Sequence, residues 1–247
     1  MYFCGSKYHF TNNNNISQTK MAEKKQQQEA LNVEEALSKS EAFLIKNMKT
    51  IIGVIVAIIV IIAAVVLYKQ YYAEPREEKA YAALFKGEEY FEAGNFEMAI
   101  AGDSIEYLGF QDIIDNYGGT KAANLAKAYL GISHAQLGQN EAAIKVLNEF
   151  DGDDQMVSPA LKGTMGNCYA KLGNLDKAVA LLQEAAKEAD NNTLSPIFLQ
   201  QAGEILLSQG KGSEALKAFT TIKEKYFRSI QSMEVDKYIE KANLLNK

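Results

Sequence analysis

An all-α protein is predicted by two features of this 247-residue sequence, a repeated pattern of small residues and one long apolar run. Three small residues recur 35 positions later in the chain, with Gly131, Gly138 and Ala143 followed by Gly166, Gly173 and Ala178. A fixed period of this size is typical of stacked supersecondary units. The apolar run, residues 51–68, has eighteen residues without a charge and predicts one membrane-spanning helix.

The spacing within one period predicts a helical hairpin. Gly131 allows the first helix to approach its partner closely, and Gly138 ends that helix because glycine adopts a left-handed conformation without strain. Ala143 lies where the second helix crosses the first, and Leu147 continues the apolar stripe of that second helix. An array of such hairpins is a binding surface, so we expect a protein that binds other molecules.

The array is assigned to residues 75–227 and contains about four repeats: 80–117, 120–150, 158–190 and 195–227. Its first repeat is interrupted by about eight residues, 101–108, before the apolar spacing resumes. The last stretch, 229–247, alternates apolar and charged residues and predicts a capping helix that shields the open end of the array.

Helix starts are predicted at three hydroxyl residues. Ser158 and Ser195 each precede a proline, which suits an N-cap followed by the first helical position. Thr120 follows two glycines and is the third predicted N-cap.

The apolar run 51–68 is predicted to be a retained membrane anchor. Eighteen helical residues cover roughly 27 Å, which is close to the hydrocarbon thickness of a bilayer. A cleaved signal peptide would have a shorter apolar region that ends at small residues, whereas this run ends at Leu67 and Tyr68. Three basic residues lie within twenty positions upstream and four within twenty downstream, so the local charges do not fix the orientation.

Composition and missing motifs disfavour several functions. The net charge is −5, which argues against binding nucleic acid, since that needs a basic surface. Only His9 and His134 are available as imidazole groups, and we expect no catalytic site. Cys168 is interpreted as a packing residue, and the acidic segment 151–154 as a turn and N-cap. No metal or cofactor is expected.

The first helices of stacked hairpins line one face of such an array, and that face is the predicted binding groove. Its candidate residues, counted from the small residue of each repeat, are Tyr81, Leu84, Glu88, Phe91, Leu125, Ala128, Ile132, Gln136, Asn167, Ala170, Lys171, Gln200, Glu204 and Leu207. They are mostly apolar with sparse polar groups. Extended or partly folded polypeptide segments with apolar side chains are therefore the expected ligand.

The order of small, aromatic, glycine and alanine positions resembles the tetratricopeptide repeat (TPR), whose unit has 34 residues. This resemblance implies a right-handed superhelical array of TPR hairpins with protein partners. TPR domains that clamp a C-terminal carboxylate use paired Lys and Asn on successive first helices, and this chain offers only Asn167 with Lys171. A carboxylate clamp is therefore not expected.

A short tail, a single span and a TPR array together resemble the envelope TPR proteins typified by the ancillary subunit of the bacterial Sec translocon. Residues 109–131 and 196–226 also resemble the TPR anchors of Bacteroidetes-type bacteria. These resemblances imply a single-pass protein of the bacterial plasma (inner) membrane, with the tail 1–50 in the cytoplasm and the array in the periplasm. Implied partners are translocon subunits, secretory or envelope proteins and chaperones.

Two alternatives remain open from the sequence. The first is a chaperone or adaptor near the translocon, and the second is a structural scaffold for another envelope or membrane assembly. An enzyme is disfavoured, and the oligomeric state is not determined. The sequence that follows Met21 is more typical of the start of a soluble segment. We therefore hypothesise that residues 1–20 result from the choice of an upstream start codon.

Overall fold

The computed structural model describes residues 13–103, 105 and 107–246. These residues form helices joined by turns and short loops, and no strand occurs among them. The all-α fold predicted from the repeat pattern is confirmed. The chain divides into two compact units, Met1–Tyr68 and Lys69–Lys247.

In its described residues, the first unit is one helix, α1, Asn13–Tyr68. Most of the predicted tail and the predicted span lie in this helix without a break at position 50, since residues 13–68 contain no proline and only one glycine, Gly53. An 18-residue window has a mean hydropathy of 3.4, and none of it is buried. By length and composition, this is the one helix among the described residues that could cross a membrane. Cys4 and His9 lie outside the described residues.

The second unit begins with a π-helical turn, Lys69–Ala73, and its remaining described helices are α2 (Glu74–Glu92), α3 (Phe96–Ala101), α4 (Phe110–Tyr117), α5 (Lys121–Gln136), α6 (Asn140–Leu147), α7 (Val157–Lys171), α8 (Leu175–Ala189), α9 (Ser195–Ser208), α10 (Gly212–Lys225) and α11 (Ile230–Leu245). Three hairpins are formed by α5 with α6, α7 with α8, and α9 with α10. In the first repeat, α2 packs against two short helices, α3 and α4, that share the role of the second helix.

Glycine permits close contact between the two helices of each repeat. A Cβ atom at Gly131 would lie 2.4 Å from the side chain of Leu147, and one at Gly203 would lie 2.5 Å from the ring of Phe219. At Gly87 a Cβ atom would lie 2.4 Å from the ring of Phe110, and at Gly166 it would lie 2.9 Å from the side chain of Leu182. The role predicted for these small residues is therefore confirmed.

Each first helix ends in the same turn, which contains a glycine in the left-handed region. The four glycines have φ angles between 71° and 79° and are Gly94, Gly138, Gly173 and Gly210. In the second repeat, the amide of Gln139 donates to the carbonyl of His134 at 2.9 Å, and the other three repeats have the equivalent bond. This bond satisfies a carbonyl that the end of the helix would otherwise leave free.

Only one of the three predicted N-caps is correct. Thr120 accepts a hydrogen bond from the amide of Ala123, as expected. Helix α7 instead begins before Ser158, and Asp154 accepts from the amides of Met156, Val157 and Ser158. Ser195 is fully buried, and its hydroxyl donates to the carbonyl of Ala186 at 2.7 Å. Both serines bind to groups from a preceding segment, and the cap of α7 comes from the acidic segment 151–154 that the sequence predicted as an N-cap.

The interruption in the first repeat lies between α3 and α4. Tyr107 is buried there, and its hydroxyl donates to the carbonyl of Ala99 at 2.7 Å. The carboxylate of Asp103 accepts from the amides of Ile105 and Tyr107, both at 2.9 Å. The side chain of Ile105 is 89% exposed at the edge of this loop.

The last helix, α11, packs against α9 and α10, as the predicted capping helix should. Ser229 caps its N-terminus by accepting from the amide of Ser232. Val235 and Ala242 are buried, and the ring of Tyr238 stacks on that of Phe219 with centroids 5.2 Å apart.

Candidate functional site

A cleft lies between the first helices of the third and fourth repeats, α7 and α9. Its volume is about 510 Å³. Helix α7 contributes Asn167, Ala170 and Lys171. Helix α9 contributes Gln201, Glu204, Ile205 and Ser208. Four of the sequence-predicted groove residues, namely Asn167, Ala170, Lys171 and Glu204, are therefore brought together across the same cleft.

The cleft is lined by both polar and apolar groups, with Ala170 on the α7 side and Ile205 on the α9 side. Lys171 and Glu204 are exposed and place opposite charges on its two walls. Asn167 and Gln201 add side-chain amides, which can both donate and accept hydrogen bonds. The amide oxygen of Gln201 is buried and has no hydrogen-bond partner among the described residues. An unpaired buried acceptor is unfavourable.

A hydrogen-bond network continues from Glu204 towards the terminal helix. Gln200 donates to Glu204 at 3.0 Å and to the hydroxyl of Tyr238 at 3.3 Å. The hydrogen bond between the Tyr238 hydroxyl and Glu204, together with burial, raises the pKa of Tyr238. Glu204 is thus held in place between the cleft and α11.

Sequence reasoning missed three of the four residues of the α9 wall. Counting from Gly203 selects Gln200, Glu204 and Leu207, whereas the cleft is lined by Gln201, Ile205 and Ser208 besides Glu204. Gln200 contacts Tyr238 of α11 instead. The rotation of α9 about its own axis sets this difference, and the burial of Phe198, Ala202 and Leu206 fixes that rotation.

The prediction that Leu84 and Ala128 face the binding groove is wrong. Leu84 is only 1% exposed and Ala128 only 4% exposed, so both belong to the hydrophobic core. Leu84 packs in the core of the first repeat, and Ala128 packs with Leu147 and Leu161 between the second and third repeats. Leu84 and Ala128 lie on the sides of α2 and α5 that pack against neighbouring helices.

The other candidates from the first repeat do not line the cleft. The half-buried ring of Phe91 lies 5.0 Å from that of Tyr129 in an edge-to-face arrangement. Burial and then a hydrogen bond with half-buried Glu88 raise the pKa of Tyr129 to about 12. Tyr81 is exposed on α2, as is Phe85, which the sequence reasoning did not select.

The remaining candidates come from the second and fourth repeats and do not line the cleft between α7 and α9. Leu125 and Ile132 are half-buried and pack against the core between the second and third repeats. Leu207 is half-buried against the core of the fourth repeat, and Gln136 is exposed at the end of α5.

The thiol of Cys168 is placed for packing. Cys168 is 1% exposed and packs with Ala135, Ala143 and Ile144. Burial raises the pKa of this thiol, and Lys171 offsets the effect only in part. The side chain is therefore a neutral core group. Among the residues whose side chains are described, no group of three His, Cys, Asp or Glu could hold a metal ion.

A family comparison agrees with this architecture. Residues 41–225 match the family model of the tetratricopeptide repeat-like domain, which covers most of the chain. This chain belongs to the tetratricopeptide repeat-like domain family. A search of curated proteins found no match to the chain. The TPR-like domain supports a protein-protein interaction module, since domains of this type are typically non-catalytic surfaces for protein partners.

Proposed function

We propose that this TPR-like protein binds an extended polypeptide segment in the cleft between α7 and α9. The cleft itself carries the proposal, because it combines a volume of about 510 Å³ with polar groups from both walls. The side-chain amides of Asn167 and Gln201 can donate to and accept from the backbone of such a segment. The side chain of Ile205 supplies an apolar contact for a side chain of that segment.

The charges of the cleft favour a ligand with polar or charged side chains among apolar ones. Lys171 on α7 attracts an acidic group, and Glu204 on α9 attracts a basic one. Because both are exposed, each adds orientation more than affinity. The proposed ligand is therefore a partly unfolded protein segment rather than a free C-terminal carboxylate.

We further propose that residues 51–68 anchor the protein in a bacterial plasma membrane, with the tail in the cytoplasm and the repeats in the periplasm. The apolar window of mean hydropathy 3.4 supports the span, and the family match covers both this run and the repeats. Orientation rests on the resemblance to the ancillary Sec translocon subunit. On this proposal the protein is a chaperone or adaptor that meets emerging polypeptides near the translocon.

Site-directed photo-crosslinking in cells tests the binding surface. A photoreactive amino acid is placed at Lys171 or Ser208 in the cleft, and matched control sites are Ala180 on α8 and Lys217 on α10, both exposed on second helices. Phe91, Ile132 and Leu207 test the predicted groove outside the cleft. We expect secretory chains and translocon subunits from the cleft sites and not from the controls. Equal crosslinking from cleft and control sites would refute the cleft.

The crosslinked partners also distinguish the two functions left open by the sequence. Many different secretory chains at low yield indicate a chaperone or adaptor. One stoichiometric partner, without contact to nascent chains, indicates a structural scaffold instead. Both outcomes are read by mass spectrometry of the same crosslinked products.

Membrane attachment and orientation need a separate measurement. We expect the full chain to resist extraction by alkaline carbonate, and a variant lacking residues 51–68 to be released. In spheroplasts, added protease should digest the repeats while an epitope on the tail remains intact. Protection of the repeats would reverse the proposed orientation.

A further inference from the structure

The terminal helix α11 has two different faces. Its inner face is formed by Val235, Tyr238 and Ala242, which pack against α9 and α10. Three large apolar side chains point away from the array: Ile230 is 78% exposed, Met233 80% and Leu244 61%. Terminal repeats of such arrays need a polar outer face to stay soluble. The three exposed apolar side chains of α11 depart from that rule.

The outer face has the spacing of a helix-pairing surface. Its residues are separated by three, four, three and four positions and are Ile230, Met233, Lys237, Glu240 and Leu244. That spacing is the heptad pattern by which two helices pack along a seam. Lys237 and Glu240, both exposed, occupy the middle of the stripe with opposite charges, and Lys237 also pairs with Glu234 of the same helix.

We propose that this outer face pairs α11 with the same helix of a second copy of the chain, in antiparallel orientation. In such a two-fold interface each contact occurs twice, because the same surface serves both copies. Met233 then lies opposite Leu244 of the second copy, and Lys237 lies opposite Glu240 of the second copy. The charges are thus complementary at the centre, with apolar contacts on either side.

Charge decides between this arrangement and its alternatives. A parallel pairing would set Lys237 against Lys237 and Glu240 against Glu240, which repel. An antiparallel pairing shifted by one heptad would set Met233 against Lys237 and Ile230 against Glu240, which buries charge against apolar groups. The proposed register pairs Met233 with Leu244 and Lys237 with Glu240, whereas Ile230 lies outside the paired turns.

Charge reversal in the full-length protein tests the pairing. Size-exclusion chromatography with light scattering, in detergent micelles, gives the protein mass. We expect the unmodified chain to be a dimer. Lys237→Glu or Glu240→Lys alone places like charges at two sites of the interface and should weaken the dimer by about tenfold or more. The exposed Glu224 on α10 gives a matched control, since Glu224→Lys makes the same charge change off this face and should not affect dimerisation.

Mixing the variants gives the decisive result. A one-to-one mixture of the Lys237→Glu chain and the Glu240→Lys chain restores both opposite-charge contacts, so a heterodimer should form from two weakened partners. The double variant, with both changes in one chain, should also form a dimer. An unmodified chain that is monomeric, a dimer that resists both single changes, or a mixture that stays monomeric would each overturn the proposal.

Disulfide trapping tests the register. In a Cys4→Ser background, Met233→Cys with Leu244→Cys should give a dimer linked by a disulfide under mild oxidation. Met233→Cys alone should link poorly, because two residues at position 233 would lie about 16 Å apart along the antiparallel pair. Efficient linkage by Met233→Cys alone would indicate a different register and refute this one. Since these side chains are exposed, the substitutions leave the core of the array intact.

Discussion

The carboxylate of Glu77 on α2 lies 2.9 Å from the backbone amide of Ala122, the second residue of α5. Its other oxygen accepts from the amide of Lys121 at 3.0 Å. The neighbouring Arg76 donates to the carbonyls of Asn116 and Gly118, both at 2.9 Å, at the end of α4. Arg76 thus binds carbonyl groups at the C-terminal end of α4, and Glu77 caps the N-terminus of α5. Both contacts are made about forty positions away in sequence.

Removing Glu77 should therefore loosen the contact between the first and second repeats. We expect Glu77→Ala to lower the free energy of unfolding by about 1 kcal/mol, the usual cost of losing an N-terminal helix cap. Chemical denaturation of the full chain, followed by circular dichroism, measures this. Glu78→Ala is the control, since Glu78 is exposed and should change stability by less than about 0.5 kcal/mol. Equal effects of the two changes would contradict the capping role.

Gly131→Ala tests the close approach of α5 and α6. The new Cβ atom would lie 2.4 Å from Leu147, and forcing extra atoms into a packed core costs about 1–3 kcal/mol. Alanine favours helix by about 1 kcal/mol over glycine, so a net loss of about 1 kcal/mol is expected. Gln136→Ala, at an exposed position of the same helix, should have almost no effect. A stabilised Gly131→Ala protein would show that the two helices can separate freely.

Tyr107→Phe tests whether the loop between α3 and α4 is held by its buried hydrogen bond. The change leaves the carbonyl of Ala99 without its donor, and an unpaired buried acceptor costs about 1–3 kcal/mol. Ile105→Ala in the same loop removes only an exposed side chain and should be neutral. Chemical denaturation of each variant gives its free energy of unfolding, and the two values are compared. If neither change alters the free energy of unfolding, the hydrogen bond of Tyr107 does not stabilise the first repeat.

The cap formed by Asp154 should depend on pH. Burial opposes ionisation of this carboxyl group, but hydrogen bonds from the amides of Met156 and Val157 and from Ser158 outweigh it and lower the pKa from 3.8 to about 2. A pKa that is lower in the folded state stabilises the fold fully above about pH 4. That contribution is lost as the pH falls through about 2.

Asp154→Ala should therefore cost about 1 kcal/mol at pH 7. Compared with the unmodified chain, the cost should shrink as the pH is lowered from 4 towards 2, because the unmodified carboxyl group becomes protonated there as well. Asp153→Ala is the matched control, since it removes the same charge from an exposed neighbour. A cost that is independent of pH would show that the hydrogen bonds do not need the ionised form.

The sequence by itself determined the helices of the array and where most of them end. Glycine at Gly94, Gly138, Gly173 and Gly210 dictates a left-handed turn locally, since other residues are strained there. A backbone conformation of this kind can be predicted from the sequence without knowledge of the tertiary structure. The crowded glycines recur with the period of the repeat, and each meets a residue of the second helix about 16 or more positions later.

Only the tertiary structure decided which faces are exposed and which of the predicted capping residues bind a helix end. Ser158 and Ser195 look like N-caps, yet Asp154 caps α7 and the Ser195 hydroxyl bonds to Ala186 of the preceding helix. Likewise, the packing of α9 against α8, α10 and α11 turns Gln201 into the cleft and Gln200 towards Tyr238. Rotation of a helix about its axis is set by contacts distant in sequence, and a repeat period does not contain that information.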